Sequence, residues 1–197
     1  MSFVRAALAL PLALGFPFAW AQSATKPVTF SNPLTLTAGT APSRLASGDF
    51  NGDGKMDLVV VNLNDGTLSV FLGNGDGTFR TASTISISGV GFNNLVVGDF
   101  NGDRVPDLAV FAGLPQNAGV YSVGVVIFLG NGDGTFGKPN TITFPNFPGG
   151  EGLASGDFNG DGKLDLAVAV GGTNWPQQKV FILIGNGDGS CPFGKAA

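Results

Sequence analysis

The sequence predicts an all-β protein built from three consecutive four-stranded antiparallel units. Three observations support this: short aliphatic runs between turn residues, 32 glycines and 12 prolines among 197 residues, and two phrases that each occur three times. Glycine and proline at this level suit many tight turns. No stretch after residue 21 shows a 3.6-residue apolar period, so helices are not expected.

The first repeated phrase contains an acidic loop of nine residues. It reads GDFNGDGKMD from Gly48, GDFNGDRVPD from Gly98 and GDFNGDGKLD from Gly156. Oxygen-bearing side chains occupy loop positions 1, 3, 5 and 9, a spacing that turns alternate side chains inward around one hard cation such as Ca²⁺. In the first copy the backbone carbonyl of Lys55 would fill position 7. The predicted side-chain ligands of that copy are Asp49, Asn51, Asp53 and Asp57.

The second repeated phrase follows each acidic loop at a distance. It reads FLGNGDGTF from Phe71 and from Phe128, and ILIGNGDGS from Ile182. Asn-Gly followed by Asp-Gly favours a two-residue hairpin turn, because glycine and asparagine accept positive φ at little cost. Turns are therefore expected at residues 74–77, 131–134 and 186–189.

Aliphatic runs between these phrases predict the strands of each unit. The expected order is a first strand, the acidic loop, a second strand, a variable loop, a third strand, the NGDG turn and a fourth strand. The first aspartates of the loops are 50 and 58 residues apart, which suggests one supersecondary unit per repeat. The predicted second and third strands cover residues 58–61 and 68–72, 108–111 and 125–129, and 166–170 and 180–184.

The first 21 residues have the pattern of a secretory signal. Arg5 precedes an apolar run over residues 6–18, and Ala19-Trp20-Ala21 fits a cleavage site before Gln22. The run is too short for a membrane span. The mature chain is thus expected to be secreted to the extracellular space, with the periplasm or the cell surface as further destinations. A retained N-terminal anchor is the alternative.

Composition excludes several kinds of chemistry. The chain has no histidine, which removes Ser-His-Asp and Cys-His catalysis and histidine-ligated zinc. Cys191 is the only cysteine, so an intrachain disulfide is excluded, and no role is assigned to it. Asp65 and Glu151 are the only acidic residues outside the repeated phrases. A hydrolase or lyase that uses a pair of carboxylates would therefore have few residues from which to build its active site. The net charge of −4 becomes −5 without Arg5, a balance that does not favour nucleic acid.

Together the two phrases resemble the FG-GAP and VCBS repeat family, the calcium-bearing blades of integrin α-subunit propellers and of many secreted bacterial proteins. The resemblance covers about residues 30–193, in units of about 30–78, 79–135 and 136–193. It implies a β-propeller fold with one structural Ca²⁺ per blade, up to three in this chain. The implied ligands are Asp49, Asn51, Asp53, Lys55 (carbonyl) and Asp57; Asp99, Asn101, Asp103, Val105 (carbonyl) and Asp107; and Asp157, Asn159, Asp161, Lys163 (carbonyl) and Asp165.

The chain departs from the family pattern in two ways. Arg104 stands where the other loops have Gly54 and Gly162, and a left-handed conformation there would cost about 1 kcal/mol, so the second site is expected to be the weakest. Closed propellers typically have about four to eight blades, whereas three units are present here. Three explanations stay open: a truncated product of a longer propeller gene, a homo-oligomer that completes the ring, and an open three-blade arc.

The function expected from these features is binding or cell adhesion by a secreted, calcium-stabilised module, with a protein or glycan as partner and no catalysis. Recognition is expected on the face opposite the acidic loops, where residues 62–66, 113–124 and 171–178 form variable loops. Tyr121 and Trp175 are the candidate contacts, and packing over a blade edge is the alternative for both. The alternatives for the whole chain are an accessory or catalytic part of a polysaccharide-degrading enzyme and a nonfunctional remnant of a longer propeller protein.

Overall fold

The computed structural model describes residues 29–30, 32–81, 83–87, 90–115, 121–144, 147, 149–171 and 178–189. The chain divides into two units, Met1–Pro33 and Leu34–Ala197. The four described residues of the first unit have no regular secondary structure, and all strands lie in the second unit. The predicted signal segment, Trp175 and Cys191 fall outside the described residues.

The described part of the second unit contains β-strands and no helix. The strands form three antiparallel sheets, in which each strand pairs with its neighbours in the chain. The first and second sheets have four strands each, and three strands of the third are described. Their bounds are β1 Pro42–Gly48, β2 Asp57–Asn62, β3 Thr67–Phe71, β4 Ser83–Ser86, β5 Val90–Gly98, β6 Asp107–Pro115, β7 Tyr121–Phe128, β8 Asn140–Phe144, β9 Gly150–Gly156, β10 Asp165–Val170 and β11 Lys179–Leu183.

This architecture confirms the prediction of an all-β chain of propeller-type blades. Each sheet is one blade, and the three blades do not close into a ring within the described residues. None of these residues belongs to a helix that is long and apolar enough to cross a membrane.

The second blade lies between the other two, as its burial pattern shows. Successive side chains of a strand point to opposite faces of the sheet. In β6, Leu108 and Val110 pack in a core shared with the first blade, whereas Ala109 and Phe111 pack in a core shared with the third. All four are fully buried, which explains why this strand reads as a continuous apolar run rather than an alternating one.

Two apolar cores therefore hold the array together, one at each junction between blades. The first joins Val59 and Leu68 of the first blade to Val126 of the second. The second joins Ile127 of the second blade to Leu166 of the third. Each fully buried side chain of this size contributes roughly 1.5–3 kcal/mol, so the junctions supply much of the stability that a single four-stranded sheet lacks.

The first two NGDG turns are one residue longer than predicted. The Asn74 N–H donates to the Thr78 carbonyl at 2.9 Å, so three residues rather than two form the loop. Gly75 and Gly77 have φ of 80° and 88°, as the prediction of positive φ requires. The Asp76 carboxylate between them accepts hydrogen bonds from the Thr78 N–H and hydroxyl, at 2.9 and 2.6 Å. This side-chain bond closes the wider turn, which propensities for Asn-Gly alone do not reveal.

Candidate metal centre

The three acidic loops have the same position in their blades and the same backbone course. They connect β1 to β2, β5 to β6 and β9 to β10. In each loop, positions 4 and 6 have left-handed φ: Gly52 71° and Gly54 77°, Gly102 81° and Arg104 70°, Gly160 80° and Gly162 83°. Arg104 thus adopts the conformation that the sequence analysis considered costly for a residue other than glycine.

The first aspartate of each loop is the centre around which the turn is built. Its Oδ2 atom accepts a hydrogen bond of 2.8 Å from the N–H at position 6, which belongs to Gly54, Arg104 or Gly162. The N–H of Gly162, the largest contribution, holds the pKa of Asp157 below its ordinary value, although burial acts in the opposite direction. This carboxylate is therefore kept ionised.

The side chains at positions 1 and 3 converge on one backbone group. In the first loop, Asp49 Oδ1 and Asn51 Oδ1 both accept a hydrogen bond from the Asp53 N–H, at 3.1 and 3.0 Å. The second loop repeats this arrangement around the Asp103 N–H, and the third repeats it around the Asp161 N–H. Two side-chain oxygens are thus brought to the same side of every loop.

The aspartate at position 5 is exposed and has fewer partners. Asp53 Oδ1 accepts a hydrogen bond of 3.0 Å from the Lys55 N–H, and its Oδ2 lies 3.5 Å from Lys55 Nζ. Burial would raise the pKa of Asp53, but the bonds from Lys55 and Asn51 and the Lys55 charge together hold it below its ordinary value. An exposed ion pair of this kind stabilises a fold little.

The last aspartate of each loop differs from the others, because it is fully buried and bonds to a distant segment. Asp57 accepts hydrogen bonds from the Phe50 N–H at 2.9 Å and from the Gly73 N–H at 2.7 Å. Asp107 and Asp165 make the equivalent pairs of bonds. Burial raises the pKa of Asp107, and the bonds from Gly130 and Phe100 offset only part of that effect. This side chain ties the acidic loop to the NGDG turn of its own blade.

A second tie connects the acidic loops of the first two blades to the NGDG turn of the blade that follows each of them. The Phe50 carbonyl accepts a hydrogen bond of 2.9 Å from the Gly134 N–H, and the Phe100 carbonyl accepts one of 3.2 Å from the Gly189 N–H. The Phe50 ring lies in the core between the first two blades, 5.6 Å from the Phe136 ring. Loop and turn thus alternate along one end of the array.

Comparison with protein families agrees with this geometry. The FG-GAP-like repeat matches residues 49–110 and 113–168, more than half of the chain, and the FG-GAP repeat matches residues 149–190. The chain belongs to the FG-GAP repeat family. No curated protein shows significant similarity to it. Propeller-type FG-GAP repeats are a scaffold for adhesion and binding, and the three blades have that architecture.

The FG-GAP loops of this chain suit a hard cation by the chemistry of their donors. All the predicted side-chain donors are carboxylate or amide oxygens, which Ca²⁺ prefers, and none is nitrogen or sulfur. The positions of these donors do not yet form a full metal site: within the described residues, no three acidic side chains are grouped closely enough to hold a metal. The last aspartate uses both oxygens on backbone N–H groups, although a carboxylate retains further lone pairs. Donor type therefore fits the cation.

The opposite end of the FG-GAP blades carries the connections that the sequence analysis predicted to vary. The turn between β2 and β3 is short, whereas most of the residues joining β6 to β7 and β10 to β11 lie outside the described part of the chain. Tyr121 begins β7, but its side chain is not described, and Trp175 is not described at all. Both candidate contacts therefore remain predictions, because their side chains lie outside the described part of the chain.

Sequence reasoning missed two structural roles in the FG-GAP repeats. Phe50 and Phe100 pack in the two apolar cores between blades. Gly73 lies so close to the Met56 carbonyl that no side chain would fit at its position. The signal was present in the phrases themselves: a phenylalanine follows the first aspartate in every acidic loop, and a glycine precedes every NGDG turn. Their regular recurrence at positions that are not metal ligands points to packing.

Proposed function

We propose that the chain is a secreted binding or adhesion module whose propeller-type blades are stabilised by Ca²⁺, one ion per FG-GAP loop. The observation that carries this proposal is the threefold repetition of one loop geometry, in which carboxylate and amide oxygens converge on the same backbone N–H. Three independent copies of such an arrangement favour a shared role, and hard oxygen ligands favour Ca²⁺.

Each loop would hold its ion through positions 1, 3, 5, 7 and 9. Positions 1, 3, 5 and 9 would supply side-chain oxygens, and position 7 a backbone carbonyl. Bound Ca²⁺ supplies positive charge that offsets the mutual repulsion of the loop carboxylates. The residues are Asp49, Asn51, Asp53, Lys55 and Asp57; Asp99, Asn101, Asp103, Val105 and Asp107; and Asp157, Asn159, Asp161, Lys163 and Asp165.

The expected stabilisation by each ion is modest. Extracellular calcium sites have dissociation constants of about 0.1–1 mM. At a millimolar concentration of free Ca²⁺, a site of this affinity stabilises the fold by about 0.4–1.4 kcal/mol, from RT ln(1 + [L]/Kd). Three sites together would therefore shift the melting temperature by a few degrees, which calorimetry resolves readily.

The replacement Asp53→Ala tests the metal, because Asp53 is exposed and its carboxylate interacts with Lys55 and Asn51 of its own loop. We expect thermal melting with calcium to show a loss of about 0.4–1.4 kcal/mol, and melting with chelator to show almost none. Asp161→Ala should behave in the same way. Asp76→Ala in the NGDG turn is the matched control, since its partner Thr78 belongs to the turn itself, and its cost should be equal in both conditions.

Two results would contradict the calcium assignment. One is a wild-type melting temperature that is identical in calcium and chelator. The other is a loss for Asp53→Ala that is the same in both conditions, as a purely structural aspartate would give.

Binding is proposed on the end of the blades opposite the FG-GAP loops. Variable loops on a rigid scaffold are where recognition usually occurs. Tyr121 at the start of β7 and Trp175 in the segment between β10 and β11 are residue types that contact glycans and proteins. A glycan array and a pull-down with the calcium-loaded chain test this surface. Loss of a detected partner on Trp175→Ala, with an unchanged melting curve, supports the proposal, whereas retained binding by that variant places the contact elsewhere.

Secretion is the remaining element of the proposal. The basic start, apolar run and small-residue site in residues 1–21 support it. Expression in a secreting host should yield a product in the medium that begins at Gln22, as N-terminal sequencing would report. A product that stays in the cell with residues 1–21 intact would contradict it.

A further inference from the structure

The two outer surfaces of the blade array are complementary halves of the junction that joins its blades. The first-blade face is the surface of β1–β4 that points away from the second blade. The third-blade face is the surface of β9–β11 that points away from the second blade. Because the three blades have equivalent registers, each residue on these faces has counterparts at the two internal junctions.

On the third-blade face, apolar residues are exposed whose counterparts are buried. Val180 is 64% exposed, whereas its counterparts Leu68 and Val125 are 0% exposed. Phe158 is 50% exposed, whereas Phe50 and Phe100 are 1% and 3% exposed. In both internal junctions the following blade covers these positions, and the described chain has no blade after the third.

The first-blade face shows the converse. Leu45 pairs with Val60, on the side of the sheet opposite Val59 and Val61, which pack against the second blade. It is 69% exposed, whereas its counterparts Leu95 and Leu153 are each 7% exposed against the preceding blade. Within the described residues, no blade covers this face.

The same complementarity holds for a backbone hydrogen bond. At the internal junctions, the carbonyl of the loop phenylalanine accepts from the last glycine of the next NGDG turn, as in Phe50 with Gly134 and Phe100 with Gly189. The counterparts at the ends are the Phe158 carbonyl and the Gly77 N–H. The described chain contains no fourth turn for the former and no preceding loop for the latter.

A steric fit repeats the pattern. A Cβ atom on Gly134 would lie 2.8 Å from a methyl group of Leu72, and one on Gly189 would lie 2.8 Å from a methyl group of Leu129. Each of these glycines therefore leaves room for a leucine of the preceding blade. The corresponding glycine of the first blade, Gly77, has nothing within 4 Å of that point. The corresponding aliphatic residue of the third blade is Ile184.

We propose that a second copy of this chain docks on these faces, so that the third-blade face of each copy contacts the first-blade face of the other. In this contact the apolar residues of the two faces pack together, and the Phe158 carbonyl of one copy accepts a hydrogen bond from the Gly77 N–H of the other. Ile184 packs in the space that Gly77 leaves open. The described residues form three blades; two copies of them give about six, within the roughly four to eight of closed propellers, whereas three copies would exceed that range. The assembly is a closed ring of two copies related by a two-fold axis, and the same head-to-tail contact occurs twice in it.

The mass of the calcium-loaded chain in solution tests the ring, by light scattering after size exclusion over a range of concentrations. We expect twice the mass of one chain. Val180→Lys damages the third-blade face, and Leu45→Lys damages the first-blade face; each variant alone should have the mass of one chain. Both positions are exposed within one chain, so each variant should keep the far-ultraviolet dichroism of the wild type. Thr141→Lys, an exposed strand position of the middle blade, is the matched control and should stay dimeric.

Mixing the two variants gives a sharper result, because the contact joins unlike faces. The intact first-blade face of Val180→Lys can bind the intact third-blade face of Leu45→Lys, so the mixture should recover mass corresponding to a pair while neither variant does so alone. A wild-type chain of single mass, a stable assembly of another number of copies, or a mixture that does not recombine would overturn the proposal. None of these contacts uses a loop carboxylate side chain, so failure of calcium binding in the melting experiment would be a separate result.

Discussion

The nine-residue FG-GAP loop has two parts that the fold treats differently. The side chains at positions 1, 3 and 5 are exposed or half-buried and bond within the loop: Asp49 accepts hydrogen bonds from the Asp53 and Gly54 N–H groups. Position 9 is fully buried and bonds across 16 residues to Gly73 in the first blade, and across 23 and 20 residues in the other two. The first part is a local turn suited to a cation, whereas the last aspartate is a long-range tie within the blade.

The difference shows that one motif can serve two purposes. A repeated pattern of oxygen side chains is usually attributed entirely to a metal. Here the last aspartate would be required for the fold even without an ion, since it accepts hydrogen bonds from two buried backbone N–H groups, one in its own loop and one beside the NGDG turn. Replacing residues in the two parts should therefore give different dependence on calcium.

The largest effect is expected for Asp107→Ala, which removes the long-range tie in the middle blade. The Phe100 and Gly130 N–H groups would lose their acceptor, at about 1–3 kcal/mol for each unsatisfied group. Denaturant unfolding in chelator should therefore show a loss of about 2–6 kcal/mol. Asp107→Asn retains one acceptor oxygen and should lose less. A loss that appears only with calcium would mean that this aspartate acts mainly as a ligand.

A smaller effect is expected for Arg104→Gly in the local part of the second loop. Arg104 has φ of 70°, which costs a residue with a Cβ atom roughly 1 kcal/mol. The glycine variant should therefore melt at a higher temperature in chelator, and the converse change Gly54→Arg should lower the melting temperature by a similar amount. If both changes destabilise the chain, the arginine side chain makes a contribution that outweighs the backbone strain.

The smallest effect is a difference in pH dependence at the first position of the third loop. Backbone N–H groups hold the pKa of Asp157 below its ordinary value. A lowered pKa in the folded state gives stability that is present above the unfolded pKa of about 3.9 and is lost as the pH falls through the folded value. In chelator, the melting difference between the wild type and Asp157→Asn should thus be largest near neutral pH and shrink below about pH 4. A difference that is constant with pH would show that the charge of Asp157 does not contribute.

The sequence predicted those parts of the fold that depend on neighbouring residues. Strands such as β2 and β10 follow from short β-branched runs, and the left-handed position of Arg104 follows from the glycines at equivalent places in the other loops. The order of elements follows because each pair of strands is joined by a recognisable turn. These features are local, so residue spacing is sufficient to find them.

The sequence could not predict features that depend on which segments meet. The burial of Asp57 depends on the close approach of Gly73, and the interior position of Phe50 depends on the second blade. The extra residue in the NGDG turn depends on a hydrogen bond from the Thr78 N–H to the Asp76 carboxylate, which competes with the shorter turn. The exposure of Phe158 also depends on which segments meet. Phe158 has the same position in its loop as Phe50, but no described blade packs against it, so it is exposed whereas Phe50 is buried.

The position of Phe50 has a consequence for the modularity of the array. Its ring contacts Phe136 and its carbonyl bonds to Gly134, so a side chain that the sequence assigns to the first blade fills part of the interior of the second. If the second blade were excised or transplanted as a single repeat, it would lose its contacts with Phe50, which belongs to the acidic loop of the first blade. Grafting experiments should therefore keep each blade together with the acidic loop of the blade before it.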